Sequence, residues 1–253
     1  MSEPAPTAGS TTTGPVLAVF AHPDDAEIAV GGTLAKWAAA GREVHLLVLT
    51  NGDRGSADPA ADREAIAETR RVETEAAGAV MGLAGTRVLG VHDGELENTI
   101  EIREAVVRRI REVGARTVLS CDPTAWFFEN IYYNHTDHRR AGEIALDAVF
   151  PGAGNPHFFA EHLAEGLSLA QVRDVWLGWT NEPNHREDVT DHFRAKIDAL
   201  AAHASQLAEG IAFFEGFLER DAREAGERIG ATFAEPFRVL DLSEGSAAEE
   251  TID

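Results

Sequence analysis

The strongest constraint on the fold is an alternation in the first half of the chain. Val16 to Phe20 reads V-L-A-V-F, and Val44 to Leu49 reads V-H-L-L-V-L. Short runs this apolar are buried on both faces, as strands of a parallel sheet are. Between them, Ala26 to Ala40 places Val30, Leu34, Trp37 and Ala38 at helical spacing, and Gly41 follows as a stop. Arg63 to Met81 predicts a second helix with Asp62 as its cap. Arg87 to Val91 and Thr117 to Ser120 read as further strands. Between those two, Ile100 to Val113 is amphipathic, with Ile102, Val106, Ile110 and Val113 on one stripe. The alternation predicts an α/β fold: a Rossmann-like, mostly parallel sheet with helices on both faces and a site at the carboxyl ends of the strands.

After Cys121 the rhythm changes. Residues 122–134 are rich in aromatics and read as irregular. Thr136 to Phe150 predicts a helix, Val172 to Trp179 a strand, and Val189 to Ala208 and Ala212 to Glu227 two more helices. No linker divides the chain, so residues 15–241 read as a single domain. Residues 1–14, rich in Ser, Thr, Pro and Ala, read as a disordered leader, and 242–253 as an acidic flexible tail.

Composition narrows the partners. The 253 residues are 44% hydrophobic and 26% charged, which suits a globular domain with a sizeable core. The formal net charge of -21 repels nucleic acid and anionic membranes, so neither is an expected partner. No run approaches the roughly 18 apolar residues of a membrane span. The first residues lack the basic and apolar parts of a secretory signal. A single cysteine, Cys121, cannot form an internal disulfide and reads as a buried structural thiol. The cytoplasm is the expected compartment, and the aromatic segment 126–133 reads as the lining of a sugar-stacking or apolar pocket, as core packing or as a homo-oligomer interface.

Two strand-to-helix turns carry the chemistry. The first is Ala21-His22-Pro23-Asp24-Asp25, where a dinucleotide fold would have G-x-G-x-x-G. The second runs through Tyr133-Asn134-His135-Thr136-Asp137-His138. If both lie at one sheet edge, three histidines and three aspartates converge. Imidazole and carboxylate together suit Zn²⁺, which uses three protein ligands at a catalytic site and leaves a position for water. Asp24 and Asp25 are adjacent and point differently, so one can bind metal while the other faces that water. Taken singly, Asp-Asp before a helix is an ordinary cap, and H-x-x-H is common on surfaces.

The runs A21-H-P-D-D-A-E-I-A-V-G-G-T-L-A, T50-N-G-D-R-G-S and N134-H-T-D-H-R-R-A-G resemble the PIG-L/LmbE family of zinc-dependent de-N-acetylases, over roughly Val16 to Leu240. Weaker pieces are T69-R-R-V-E, D93-G-E-L and H203-A-S-Q. The resemblance implies a hydrolase that removes an acetyl or other acyl group from an amide nitrogen of an N-acetylglucosamine-type sugar. It implies His22, Asp25 and His138 as ligands of one Zn²⁺, with Fe²⁺ as a substitute. It makes Asp24 the general base, His135 either an acid or the stabiliser of the oxyanion, and Tyr133 a residue that polarises the carbonyl. Arg70 and Asp93 match substrate-contacting positions, although Arg70 also reads as a solvated helix residue and Asp93-Gly94 as a plain turn. Asp137 is expected to orient His135 or His138, or simply to start a helix. His203 reads as a surface or packing histidine. The alternatives are an amidase for mycothiol-type thiol conjugates, and a non-catalytic sugar- or metal-binding protein. An intact Asp24 and His135 argue against the latter, since binding needs no base.

Overall fold

A computed structural model describes residues 13–208 and 210–243. The elements in order are β1 (Val16–Phe20), α1 (Asp25–Ala39), β2 (Val44–Thr50), α2 (Arg63–Val80), β3 (Gly85–Val91), α3 (Ile100–Val113) and β4 (Thr117–Cys121). There follow β5 (Phe127–Phe128), β6 (Tyr132–Tyr133), α4 (Thr136–Asp147), α5 (Glu161–Ala164), β7 (Asp174–Gly178), β8 (His185–Asp188), α6 (Phe193–Ala201), α7 (Ile211–Glu227) and β9 (Ala234–Asp241). The main sheet has the order β3-β2-β1-β4-β7-β9-β8. The β1, β2, β3, β4 and β7 strands are parallel to their neighbours among themselves, and β9 runs antiparallel to both β7 and β8.

The apolar runs are explained by the layers. Along β1, Leu17 and Val19 face one cluster with Val106, Ile110, Ile144 and Ala145. Their neighbours Val16, Ala18 and Phe20 face the other, with Val30, Leu34 and Trp37 of α1. Side chains alternate along a strand, so a strand covered by helices on both faces must be apolar at every position. The expected caps form: Asp62 accepts the main-chain N–H of Glu64, and Gly114 closes α3 with φ 66°. The order places the switch of chain direction between β1 and β4, and the crevice above it is where such sheets bind ligands.

The second half departs from the expected elements. The Val189 to Ala208 helix is shorter, Phe193–Ala201, and is preceded by strand β8. Neither β8 nor β9 is announced by an apolar alternation. The β8 sequence is H-R-E-D at the sheet edge, and β9 contains Pro236, which cannot donate to a ladder. The irregular segment 122–134 holds a two-residue hairpin, Phe127 opposite Tyr133 and Phe128 opposite Tyr132. The leader and tail lie almost wholly outside the described residues; Leu242 N–H donates to Arg173 O at 2.8 Å. No described helix is long and apolar enough to cross a membrane.

Candidate metal centre and active site

The sheet brings the two turns together. His22 follows β1, and His135 caps α4 beyond β4. The ring centroids lie 4.8 Å apart for His22 and His135, 5.1 Å for His22 and His138, and 5.4 Å for His135 and His138. The Asp25 carboxylate stands between two of them. Its Oδ2 is 3.3 Å from His22 Nδ1, and its Oδ1 is 3.1 Å from His138 Nε2. Among the described residues, two donor groups have atoms all within 4.8 Å of one another: His22, His135 and His138, and His22, Asp93 and Asp137.

Hydrogen bonding on the outer side of each ring separates these possibilities. His22 Nε2 faces Asp137 Oδ2 at 3.2 Å and Asp93 Oδ1 at 3.3 Å. Ionised carboxylates only accept, so this nitrogen carries a proton, and in the neutral ring that a metal ion requires the electron pair is on Nδ1, toward Asp25. The Asn134 amide is oriented by donating from Nδ2 to Ala125 O at 2.9 Å, which turns Oδ1 to His138 Nδ1, also at 2.9 Å. His138 Nδ1 therefore donates, and its electron pair is on Nε2, again toward Asp25. His135 is the reverse case. Its Nδ1 accepts the main-chain N–H of Asp137 at 3.2 Å, so in the neutral ring Nε2 is an N–H donor. With both rings neutral, the electron pairs of His22 Nδ1 and His138 Nε2 face the Asp25 carboxylate, whose Oδ2 also accepts the His22 main-chain N–H at 2.7 Å. That set fits a divalent metal ion, with carboxylate and amide supports behind both histidines.

The charges agree. Burial pushes the His22 imidazole down, but Asp25, with the hydrogen bonds to Asp137 and Asp93, outweighs it and carries the value up to about 12. The cluster thus favours a positive charge at this spot. Burial also acts to raise Asp25, yet His138 and His22 hold it well below the usual carboxylate range. The hydrogen bond from His22 lowers Asp93.

Asp24 caps α1 with φ 98°, a left-handed conformation that costs a non-glycine residue on the order of 1–3 kcal/mol. Burial raises its carboxyl, and Asp25 adds to the rise against the pull of Arg70, leaving it at about 7. Arg70 is buried, not solvated. It donates to Asp24 Oδ2 at 3.2 Å, to Pro23 O at 2.5 Å and to Gly52 O at 3.0 Å. Burial, then the charges of His22 and His138, lowers His135, which favours its neutral form.

Asp137 departs from expectation in its partner. It pairs with His22, not with the ring of His135 or His138, and also accepts Gly94 N–H at 2.7 Å. Asp93 is more than a turn, since its carboxylate faces His22. Tyr133 is 74% exposed on β6, and its ring stacks along Tyr132 at 6.5 Å. His203 is fully buried, opposite Glu27. Cys121 is buried and its thiol pushed up by burial, which suits a structural role. A cavity of about 490 Å³ lined by Asn51, Asp53, Arg63 and His92 does not include His22, His135 or His138. Sequence reasoning gave no role to Asn134, although it stands four residues before His138, a spacing that makes side chains neighbours at a helix start. It also passed over Asp53, which takes Asp93 N–H at 3.0 Å and His92 Nδ1 at 2.8 Å.

Comparison with known proteins agrees with this geometry. The family described as PIG-L, GlcNAc-PI de-N-acetylase, matches residues 17–149. The diacetylchitobiose deacetylase of Thermococcus kodakarensis is 33% identical over 226 residues, covering 89% of this chain and 82% of that protein. The probable N-acetyl-alpha-D-glucosaminyl L-malate deacetylase 2 of Bacillus anthracis is 30% identical over 231 residues, covering 88% and 94%. The solved N,N'-diacetylchitobiose deacetylase from Pyrococcus horikoshii, complexed with its inhibitor MPG, superposes with a TM-score of 0.82 at 31% identity, over 89% of this chain and 83% of that one. Both the family match and the relatives extend across the two turns that build the site, and the chain belongs to the PIG-L family of metal-dependent N-deacetylases.

Proposed function

We propose that the chain hydrolyses the acetamide of an N-acetylglucosamine-type sugar in the cytoplasm, with one Zn²⁺ held by His22, Asp25 and His138. The observation that carries this is the Asp25 carboxylate standing 3.3 Å from His22 Nδ1 and 3.1 Å from His138 Nε2, with the far side of each histidine already engaged. Two nitrogens and a carboxylate are a common catalytic zinc set, and the same donors accept Fe²⁺. The ion would supply Lewis acidity at the carbonyl and a water of lowered pKa.

The residues of the chain do the rest. Asp24 takes one proton from the attacking water. Arg70 engages Oδ2, which leaves Oδ1 to receive it. A carboxyl at about 7 suits a group that must accept and then return a proton near neutrality. As the carbonyl carbon becomes tetrahedral, negative charge gathers on its oxygen, and the Nε2–H of neutral His135 donates to it. Asp24 then gives its proton to the amine nitrogen as the C–N bond breaks, releasing the free amine and acetic acid, which ionises to acetate by giving its proton to solvent. Arg70 acts through Asp24 in this scheme. Asp93 stands at the edge of the cluster for a sugar hydroxyl, and Tyr133 stands at the rim.

Release of primary amine from N-acetylglucosamine, N,N'-diacetylchitobiose and a mycothiol-type conjugate tests the reading. The expected result is metal-dependent amine release from an N-acetylated sugar. Preferential cleavage of the thiol conjugate would favour the amidase alternative. The tautomers give a second test. His138→Ala loses the metal, whereas His135→Ala keeps it and loses about 10²–10³-fold in kcat, as for loss of an oxyanion donor. Loss of metal in both variants would make His135 a ligand.

A further inference from the structure

The H203-A-S-Q206 segment has no part in the chemistry above, yet it is tied to every element that holds Asp24. Ser205 gives both its main-chain N–H and its hydroxyl to Glu73, at 2.7 Å each. Glu73 lies on α2, three residues after Arg70. Gln206 Nε2 donates to Gly55 O at 3.1 Å. Gly55 in turn donates its N–H to Gly52 O at 3.0 Å, and Gly52 O is a seat of Arg70.

The glycines in T50-N-G-D-R-G-S are there for the arginine. A Cβ on Gly52 would lie 2.4 Å from Arg70 Nη1, and one on Gly55 would lie 2.6 Å from Nη1 and 2.8 Å from Gln206 Oε1. The loop therefore wraps the guanidinium with bare backbone, and Gln206 closes it from outside. At the other end, His203 Nε2 lies 3.6 Å from Glu27 Oε1, in the first turn of α1. Both side chains are fully buried, and none of their ring or carboxylate polar atoms has a hydrogen-bond partner among the described residues, so the 3.6 Å charge contact stands alone. A buried pair so poorly satisfied is costly to keep for stability alone.

We propose that His203 to Gln206 is a positioning strap for the general base: it fixes the glycine loop around Arg70 and the first turn of α1, and so sets where the Asp24 carboxylate stands. This rests on the reading of Asp24 as the base. The strap acts through Arg70 and Glu27 and touches no reacting atom.

The test measures kcat, KM, metal content and melting temperature on the full chain with N,N'-diacetylchitobiose. Gln206→Ala should lower kcat about five- to tenfold, the ratio that one lost hydrogen bond gives, with KM and metal unchanged. Ser205→Ala should do the same to a smaller degree. In an Arg70→Lys background, which keeps the charge but loses the forked contacts, Gln206→Ala should cost nothing further. At the other end, His203→Gln keeps a polar group beside the buried Glu27 and should keep kcat within about twofold, whereas His203→Leu leaves that carboxylate facing only apolar atoms and should lose about tenfold. Equal losses of Gln206→Ala in both backgrounds, an effect on KM alone, or lost metal would overturn the proposal. Asp24→Asn run in parallel separates the two levels. If it is nearly as active as the parent, the base assignment has failed; if it is inactive while Gln206→Ala is normal, only the strap has failed.

Discussion

The two sides of the site are built differently. His22, Asp24 and Asp25 follow β1 and are backed by buried charge: Arg70 on Asp24, Asp93 and Asp137 on His22, and the Glu27 and His203 pair beneath the first turn of α1. His135 and His138 lie on the other side and are held by neutral groups, the Asn134 amide and a main-chain N–H. Beside them stands the β5-β6 hairpin, where Ile131 is 86% and Phe127 65% exposed. The walled side sets the charge of a base and a ligand, because charge effects are strong where water is excluded. The open side presents hydrogen-bond donors and apolar surface, which is what an incoming neutral sugar can use.

The largest effect is expected where the walled side is broken. Asp24→Asn should retain metal and lose about 10²–10⁴-fold in kcat, the usual range for a lost general base. The parent's activity should rise with pH through about 7, because a carboxyl raised to that value is protonated below it and able to accept above it. The same profile should be absent from whatever activity Asp24→Asn retains. A normal acid limb in that variant would assign the titration to another group.

An intermediate effect is expected on the neutral side. Asn134→Ala removes the only acceptor assigned to His138 Nδ1, and should weaken metal affinity by about 10- to 100-fold, as loss of a supporting partner does. Competition with a chelator measures this directly. Unchanged affinity would show that the tautomer of His138 is not set by Asn134. The smallest effect is expected at the rim. Ile131→Ala with Tyr132→Ala should alter KM by less than about tenfold and leave kcat and metal content as they were, because both side chains are exposed at the rim. A collapse of kcat in that variant would make the hairpin part of the catalytic geometry.

A second contrast, between local signals and distant contacts, explains how much could be read from sequence. Both sides of the site grow from β1, β2 and β4, which are apolar because both faces are covered, and from helices whose caps are local signals. That the loops follow the carboxyl ends of these strands is therefore legible in the sequence. What stayed hidden depends on contacts between distant segments. The tautomers rest on Ala125 O reaching Asn134 and on Asp137 reaching His22, 115 positions away. The burial of Arg70 rests on glycines 15 to 18 positions earlier, and long charged side chains are ordinarily outside. The β8 and β9 strands carry charges and a proline, so their pairing is tertiary and leaves no period-two trace.

The central claim is that the ion sits on the His22 Nδ1, Asp25 and His138 Nε2 point, and that Asp93 and Asp137 support His22 from behind. Anomalous scattering at the zinc edge, from crystals of the protein loaded with one equivalent of Zn²⁺, tests it most directly. The account predicts a single peak about 2.0–2.2 Å from those three ligand atoms, with His22 Nε2 still hydrogen-bonded to Asp137. A single peak between His22 Nε2, Asp93 and Asp137 would contradict it, because the nitrogen assigned the proton would then carry the metal.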